Sequence, residues 1–196
     1  MDINCNFNQD KKEQWSPIIY HNGSVVGFWW FGRWYNSSRD LGFYYYGAYP
    51  YGFMDRIKVL FKEQFSTGQV LHLFSGTLRS EDPRIITFDI NPEVKPNIVG
   101  DAEKVGDYFH PGTFDLILAD PPYDDNHEKY GTKKVSKKKV VSKCVDLLKV
   151  GGYLCWLDTL IPQWKNADGW KYAGMIGVVQ STNHKARAIT MLRRER

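Results

Sequence analysis

Phe114-Asp115-Leu116-Ile117-Leu118-Ala119-Asp120-Pro121-Pro122-Tyr123 reads as a short apolar strand that stops at an acid and two prolines. The apolar run is near-continuous rather than alternating, the pattern of a strand buried on both faces of a parallel sheet. Proline lacks the N–H that a central strand must donate, so the strand ends at Asp120. The same pattern recurs on either side. Val70-Leu71-His72-Leu73-Phe74 ends at Ser75-Gly76-Thr77, and Ile85-Ile86-Thr87-Phe88 ends at Asp89. Asn97-Ile98-Val99 ends at Gly100-Asp101, and Tyr153-Leu154-Cys155-Trp156-Leu157 ends at Asp158. Strands ending in Gly or Asp at one edge of an open α/β sheet make a ligand crevice.

The gaps between these runs are informative. Only 15 positions separate Phe74 from Asp89, and 12 separate Asp89 from Asp101. A full crossover helix does not fit in either, so these crossovers are expected to be loops or single turns. A helix is predicted over 133–149, with Val141, Cys144, Val145 and Leu148 inward, its lysines outward, and Gly151-Gly152 at its end. Two closing strands are predicted over 176–181 and 187–192, joined at Thr182-Asn183-His184.

The first third of the chain differs. Residues 1–65 hold 18 of the 30 aromatics. Residues 1–15 are polar and are expected to be loosely ordered. Asn22-Gly23 between β-formers predicts a hairpin of Ile18-Ile19-Tyr20 with Val25-Val26-Gly27-Phe28. Trp29-Trp30-Phe31 and Phe43-Tyr44-Tyr45-Tyr46 extend the pattern, and a helix is predicted over 53–65 with Ile57, Leu60, Phe61 and Phe65 on one stripe. Missing crossover helices leave one sheet face thinly covered, and the aromatic segment is the candidate cover. The expected division is 1–66 as an aromatic β-rich extension plus helix, and 67–196 as the catalytic core.

The length of 196 residues suits one domain. With 42% apolar and 24% charged residues, the composition excludes a wholly disordered chain. No apolar run reaches the roughly 18 residues of a membrane span. The N-terminus lacks a basic region followed by an apolar one, so no signal peptide is expected. Cys5, Cys144 and Cys155 are odd in number and widely spaced, which argues against a disulfide framework or zinc cluster and fits a reducing cytoplasm. His72 and His184 lack metal-ligand spacing, so no metal is expected. Residues 1–66 are close to neutral, with seven Lys+Arg against six Asp+Glu, so most of the net charge of +4 lies in the rest of the chain, with local clusters at 133–143 and 193–196.

Chemistry concentrates at Asp120-Pro121-Pro122-Tyr123. The prolines stiffen the turn, so the Asp120 carboxylate and the Asp120 and Pro121 carbonyls are fixed acceptors, and Tyr123 offers a stacking face. Such a site suits a planar base with an exocyclic amino group. The motif resembles the catalytic motif of the S-adenosylmethionine-dependent amino-methyltransferases, enzymes that methylate exocyclic amines, above all N6 of adenine in DNA. Leu71-His72-Leu73-Phe74-Ser75-Gly76-Thr77 resembles their cofactor motif, which implies that Leu73, Phe74, Ser75 and Gly76 hold the methionine part of the cofactor. The resemblance further implies Asp89 on the ribose hydroxyls and Asp101 on the cofactor's adenine amino group. Tyr49-Pro50-Tyr51-Gly52 resembles the family's extra cofactor motif, and reads equally as a helix-start turn with core aromatics.

The match covers residues 70–192 and departs in places. His72 stands where the family carries an acid, Leu78 replaces a glycine, and no separate target-recognition domain has room. The implied fold is an α/β Rossmann-like class I methyltransferase sheet with reduced first crossover helices and a β-rich aromatic N-terminal extension. The implied function is methyl transfer from S-adenosylmethionine to an exocyclic amine of a nucleic-acid base, with DNA adenine N6 favoured over RNA. Guanine N2 or adenine N6 of RNA, cytosine N4, and a catalytically inactive nucleic-acid-binding module are the alternatives. Lys134, Lys137 and Lys138 fall at i, i+3 and i+4 of the predicted helix, either as phosphate contacts or as part of a solvated face. The loop 124–132, with His127, Lys129 and Tyr130, is expected to close over the base.

Overall fold

The computed structural model describes residues 18–21, 23–31, 49, 52–123, 134–180 and 186–196. Its elements are β1 (Ile18–His21), β2 (Ser24–Phe31), α1 (Phe53–Leu60), α2 (Lys62–Thr67), β3 (Val70–Leu73), β4 (Ile85–Asp89) and β5 (Ile98–Val99). Then come β6 (Phe114–Ala119), α3 (Lys137–Leu147), β7 (Leu148–Asp158), β8 (Trp170–Gln180) and β9 (Ala186–Arg194). The described strands form one mixed sheet in the order β1-β2-β8-β9-β7-β6-β3-β4-β5.

Five strands, β7-β6-β3-β4-β5, run parallel, while β9 is antiparallel to both β7 and β8. Counted from Val70, the strand order is 3-2-1-4-5-7-6, the Rossmann-like class I methyltransferase sheet. The chain leaves β3 toward β4 on one side, and β6 pairs on the other. The crevice at such a reversal is where α/β sheets bind ligands. As expected, no helix lies between β3 and β4, and a single 3-10 turn, Pro92–Val94, lies between β4 and β5.

Two apolar layers sandwich the sheet. On one face Val140, Val141, Cys144, Val145 and Leu147 of α3 meet Leu71, Ile117, Leu154 and Trp156. On the other, Phe53, Ile57 and Leu60 of α1 meet Val70, Leu116, Leu118 and Met191. Each fully buried aliphatic side chain contributes about 2 kcal/mol to holding these layers. The alternation along β3 explains the division: Leu71 and Leu73 face α3, and Val70 faces α1.

Two expectations need correction. The predicted 53–65 helix is two helices, because Phe61 leaves the helical conformation and packs its ring 5.5 Å from Tyr153. The predicted 133–149 helix runs only from Lys137 to Leu147, since Leu148 already pairs with Phe114 as the first residue of β7. Of the N-terminal segment, α1 and Trp29 of β2 lie in the layer on the thin face, and residues 32–48 lie outside the described residues. β2 itself joins the sheet edge, parallel to β8. Gly174 permits the docking: a Cβ there would sit 2.2 Å from the Val25 carbonyl oxygen. The predicted strand at 43–46 and the residues 1–15, 34 and 35 lie outside the described residues.

Candidate active site

The carboxyl ends of β3 and β6 flank the crevice. After β3, Phe74 adopts a left-handed backbone (φ 56°) and edges against Trp156 at 6.5 Å. A non-glycine residue there stores strain, which native structures hold mainly at functional sites. Ser75 is buried and its hydroxyl has no hydrogen-bond partner among the described residues. Gly76, also left-handed, donates its N–H to Asp89 Oδ2 at 2.8 Å, and Asn91 N–H donates to Asp89 Oδ1 at 2.9 Å. Asp89 thereby ties the ends of β3 and β4 together. Burial raises its carboxyl above the usual range, against the pull of these backbone donors. Asp101 caps the following 3-10 turn by accepting from Glu103 N–H at 3.0 Å.

The β6 end carries the acceptor motif. The Tyr123 hydroxyl donates to Asp120 Oδ1 at 3.0 Å. Burial pushes the half-buried Asp120 carboxyl up to about 7, opposed by the Arg187 cation and the Tyr123 hydrogen bond and assisted by the Asp158 charge. Burial, and then the Asp120 charge, raise the Tyr123 phenol. The guanidinium carbon of Arg187 lies 4.8 Å from the centre of the Tyr123 ring, a cation–π contact. Pro121 is buried and Pro122 half-buried.

Tyr49 is brought to the same edge. Its ring stacks on Phe53 at 4.6 Å and meets His72 edge-on at 6.4 Å. Burial chiefly, and then the Asp120 charge, raise its hydroxyl. His72 is buried, and burial lowers its imidazole to about 3, with Lys58 adding to the effect. The ring is therefore neutral at ordinary pH. Pro50, the loop 124–132, Lys133 and His184 lie outside the described residues.

The lysine trio is corrected by the geometry. Lys134 precedes α3, so it shares no helical face with the others. Lys137 turns inward, its Nζ 2.8 Å from Asp158 Oδ2, and only Lys138 is an exposed helical lysine of the three. Asp158 and Arg187 are the neighbours of Asp120 that sequence reasoning did not assign. Asp158 is 1% exposed and also accepts from Trp156 Nε1 at 3.2 Å and Thr159 N–H at 2.7 Å. The acid at the end of β7, matching the acid at the end of β6, was its one signal.

Among the described residues no cluster of three or more His, Cys, Asp or Glu is arranged for a metal, and no helix is long and apolar enough to cross a membrane. No protein-family model matches the chain, and no curated protein matches it. Solved structures similar to it include PH0226 protein from Pyrococcus horikoshii OT3, at 14% identity and TM-score 0.48, covering 73% of this chain and 91% of that one. TrmN from Thermus thermophilus is 17% identical with TM-score 0.46 over 65% of this chain; the match spans 44% of TrmN, less than half its length. The 16S rRNA (adenine(1408)-N(1))-methyltransferase from Catenulisporales acidiphilia, a mutant crystallised with SAM, is 14% identical with TM-score 0.46, covering 69% and 89% of the two chains.

Proposed function

We propose that this chain is an S-adenosylmethionine-dependent methyltransferase acting on an exocyclic amino group of a nucleic-acid base, with adenine N6 in DNA as the acceptor. The observation that carries the reading is the β6 end. A half-buried carboxyl sits beside the strand-order reversal, stiffened by two prolines and hydrogen-bonded by a tyrosine whose ring can stack.

The β3 and β4 ends fit the cofactor. The Ser75 hydroxyl is buried without a partner among the described residues, and the Asp89 carboxylate is oriented at the crevice by the backbone N–H groups of Gly76, Asn91 and Ile90. Leu73, Phe74, Ser75 and Gly76 would hold its methionine end, Asp89 its ribose hydroxyls and Asp101 its adenine amino group, with Tyr49 as a flanking aromatic. When bound, S-adenosylmethionine supplies an electrophilic methyl on a sulfonium, which a nitrogen lone pair can take without a covalent enzyme intermediate.

The chain's own groups do the positioning. Asp120 in its carboxylate form and the Pro121 carbonyl accept the two N–H bonds of the amine, which fixes the direction of the nitrogen lone pair. Pro122 holds that turn rigid. With its carboxyl near 7, Asp120 also takes up the proton that the nitrogen sheds. Arg187 holds one face of the Tyr123 ring and the base stacks against the other. A base from a duplex must first be flipped out, at a cost of a few kcal/mol.

Tritiated S-adenosylmethionine with DNA and RNA, followed by nucleoside analysis, tests the reading. Wild type is expected to label N6-methyladenine in DNA, and Asp120→Ala to lose at least about a hundredfold in rate while still binding the cofactor. Near-normal turnover by Asp120→Ala ends the assignment. Label in RNA, in cytosine or in guanine moves the acceptor.

A further inference from the structure

A cleft of about 450 Å³ opens between α3 and the β7–β8 connection, outside the site described above. Its floor is apolar, with Pro162 buried and Trp170 2% exposed. Its wall is Trp164, half-buried and stacked on Tyr172 at 6.1 Å with only 14° between the planes. An indole backed by a second ring is already ordered, so a ligand stacking on it loses little rotamer entropy. Lys138 and Lys165 stand exposed on the rim, and neither makes an ion pair with a described residue. Asp168 lines the same cleft, which leaves one net positive charge.

One end of the cleft, at Lys138 and Pro162, lies toward the candidate active site, while Trp170, paired with Arg194, lies at the opposite edge of the sheet. Lys138 follows Lys137, whose ammonium is 2.8 Å from Asp158, and the Lys137 and Asp158 charges both act on Asp120. Pro162 lies four residues beyond Asp158. A flat aromatic wall with cations at the rim suits a ligand that joins a π-face to an anion. Each unit of a nucleic-acid strand is such a ligand.

We propose that this cleft seats a nucleotide flanking the target base, its base against Trp164 and its phosphate between Lys138 and Lys165. The proposal rests on the methyltransferase reading and adds a strand-tracking subsite to it. The reader of the neighbouring nucleotide is thus built from α3 and the β7–β8 connection, without a separate recognition domain.

Fluorescence anisotropy of a labelled adenine-containing single-stranded oligodeoxynucleotide tests this, beside the tritium assay. Lys138→Glu with Lys165→Glu changes two exposed side chains and leaves the core intact. The double variant is expected to bind the oligonucleotide at least about tenfold more weakly at 0.1 M salt, with a salt slope shallower by about one to two and a raised KM. A matched reversal at Lys62 and Lys104, both exposed and outside the cleft lining, is expected to have a much smaller effect. Trp164→Ala is expected to weaken binding roughly five- to a hundredfold with little change in salt slope.

Equal losses in the two lysine pairs, or no loss in the cleft pair, overturn the subsite. So does wild type that binds no oligonucleotide, or a free mononucleotide that fills the cleft without competing with the oligonucleotide. A cleft that behaves as expected in a protein that transfers no methyl overturns the enzymatic reading instead, so the two failures are distinct.

Discussion

The parallel strands β6 and β7 lie side by side and both run out into an aspartate, yet the two acids are held in opposite ways. Asp158 is saturated: an indole N–H, a backbone N–H and an ammonium converge on its two oxygens. Asp120 has the Tyr123 hydroxyl as its one hydrogen-bond donor among the described residues, and its carboxyl rises to about 7. Burial alone does not separate them, because Asp158 is the more buried. What differs is how many donors each has been given. A fully donated carboxylate is a structural anchor. A desolvated one with spare lone pairs is held ready for a ligand's N–H bonds.

Removing the saturated acid is the strongest test of that contrast. Asp158→Ala leaves the Lys137 ammonium, 19% exposed, without this carboxylate and deprives the Trp156 N–H of its acceptor. Breaking a buried pair from one side costs about 3–5 kcal/mol, and the partial exposure of Lys137 puts the value near the lower bound. Chemical denaturation at pH 7 measures it. A loss below about 1 kcal/mol would show that Asp158 is no anchor, and the comparison with Asp120 would fail.

Asp120 carries the opposite expectation. Its folded value of about 7 lies above the unfolded value near 3.9, so between these the native state binds the extra proton. Stability attributable to this group therefore falls as pH rises through that window and stays low above pH 7. Asp120→Asn removes the titration while keeping the shape. The variant is expected to be more stable than wild type by about 2–4 kcal/mol at pH 8, and close to it at pH 4. Thermal melts of both proteins across pH 4–8 decide this. Equal pH dependence in the two would place Asp120 among the ordinary surface carboxyls. A gain in stability with a loss of turnover is the pattern of a strained functional group.

Part of this arrangement was legible in the chain. Runs ending in Gly or Asp marked the parallel strands, because strands buried on both faces admit few polar residues until their ends. The gaps of 15 and 12 positions excluded crossover helices by length alone. What stayed hidden depends on contacts between residues far apart in the chain. Lys137 reads as one lysine among many, and only the fold puts it on Asp158, 21 positions away. Arg187 meets Tyr123 because β9 runs antiparallel and starts at the edge where β6 ends. The parallel docking of β2 on β8 left one local trace, Gly174 within a run of β-formers, where a side chain would strike the neighbouring backbone.

Tyr123→Phe gives the smallest effect and the finest distinction between the two acids. The ring stays, so stacking and the Arg187 contact at 4.8 Å are kept, and only the donor to Asp120 Oδ1 is lost. That hydrogen bond lowers the Asp120 carboxyl, so its removal is expected to move the acid limb of the pH–rate profile upward. A net worth of about 0.5–1.5 kcal/mol corresponds to roughly half to one pH unit. Trp156→Phe is the matched deletion at the saturated acid, since it also removes one ring-borne donor. It is expected to cost more stability, because it also leaves a cavity where the fully buried indole stood, and to leave the pH–rate profile in place, because the Thr159 N–H and Lys137 still hold Asp158. If both substitutions shift the profile equally, the two aspartates act as one coupled site. A shift with Tyr123→Phe alone makes Asp120 the group whose protonation the reaction reads.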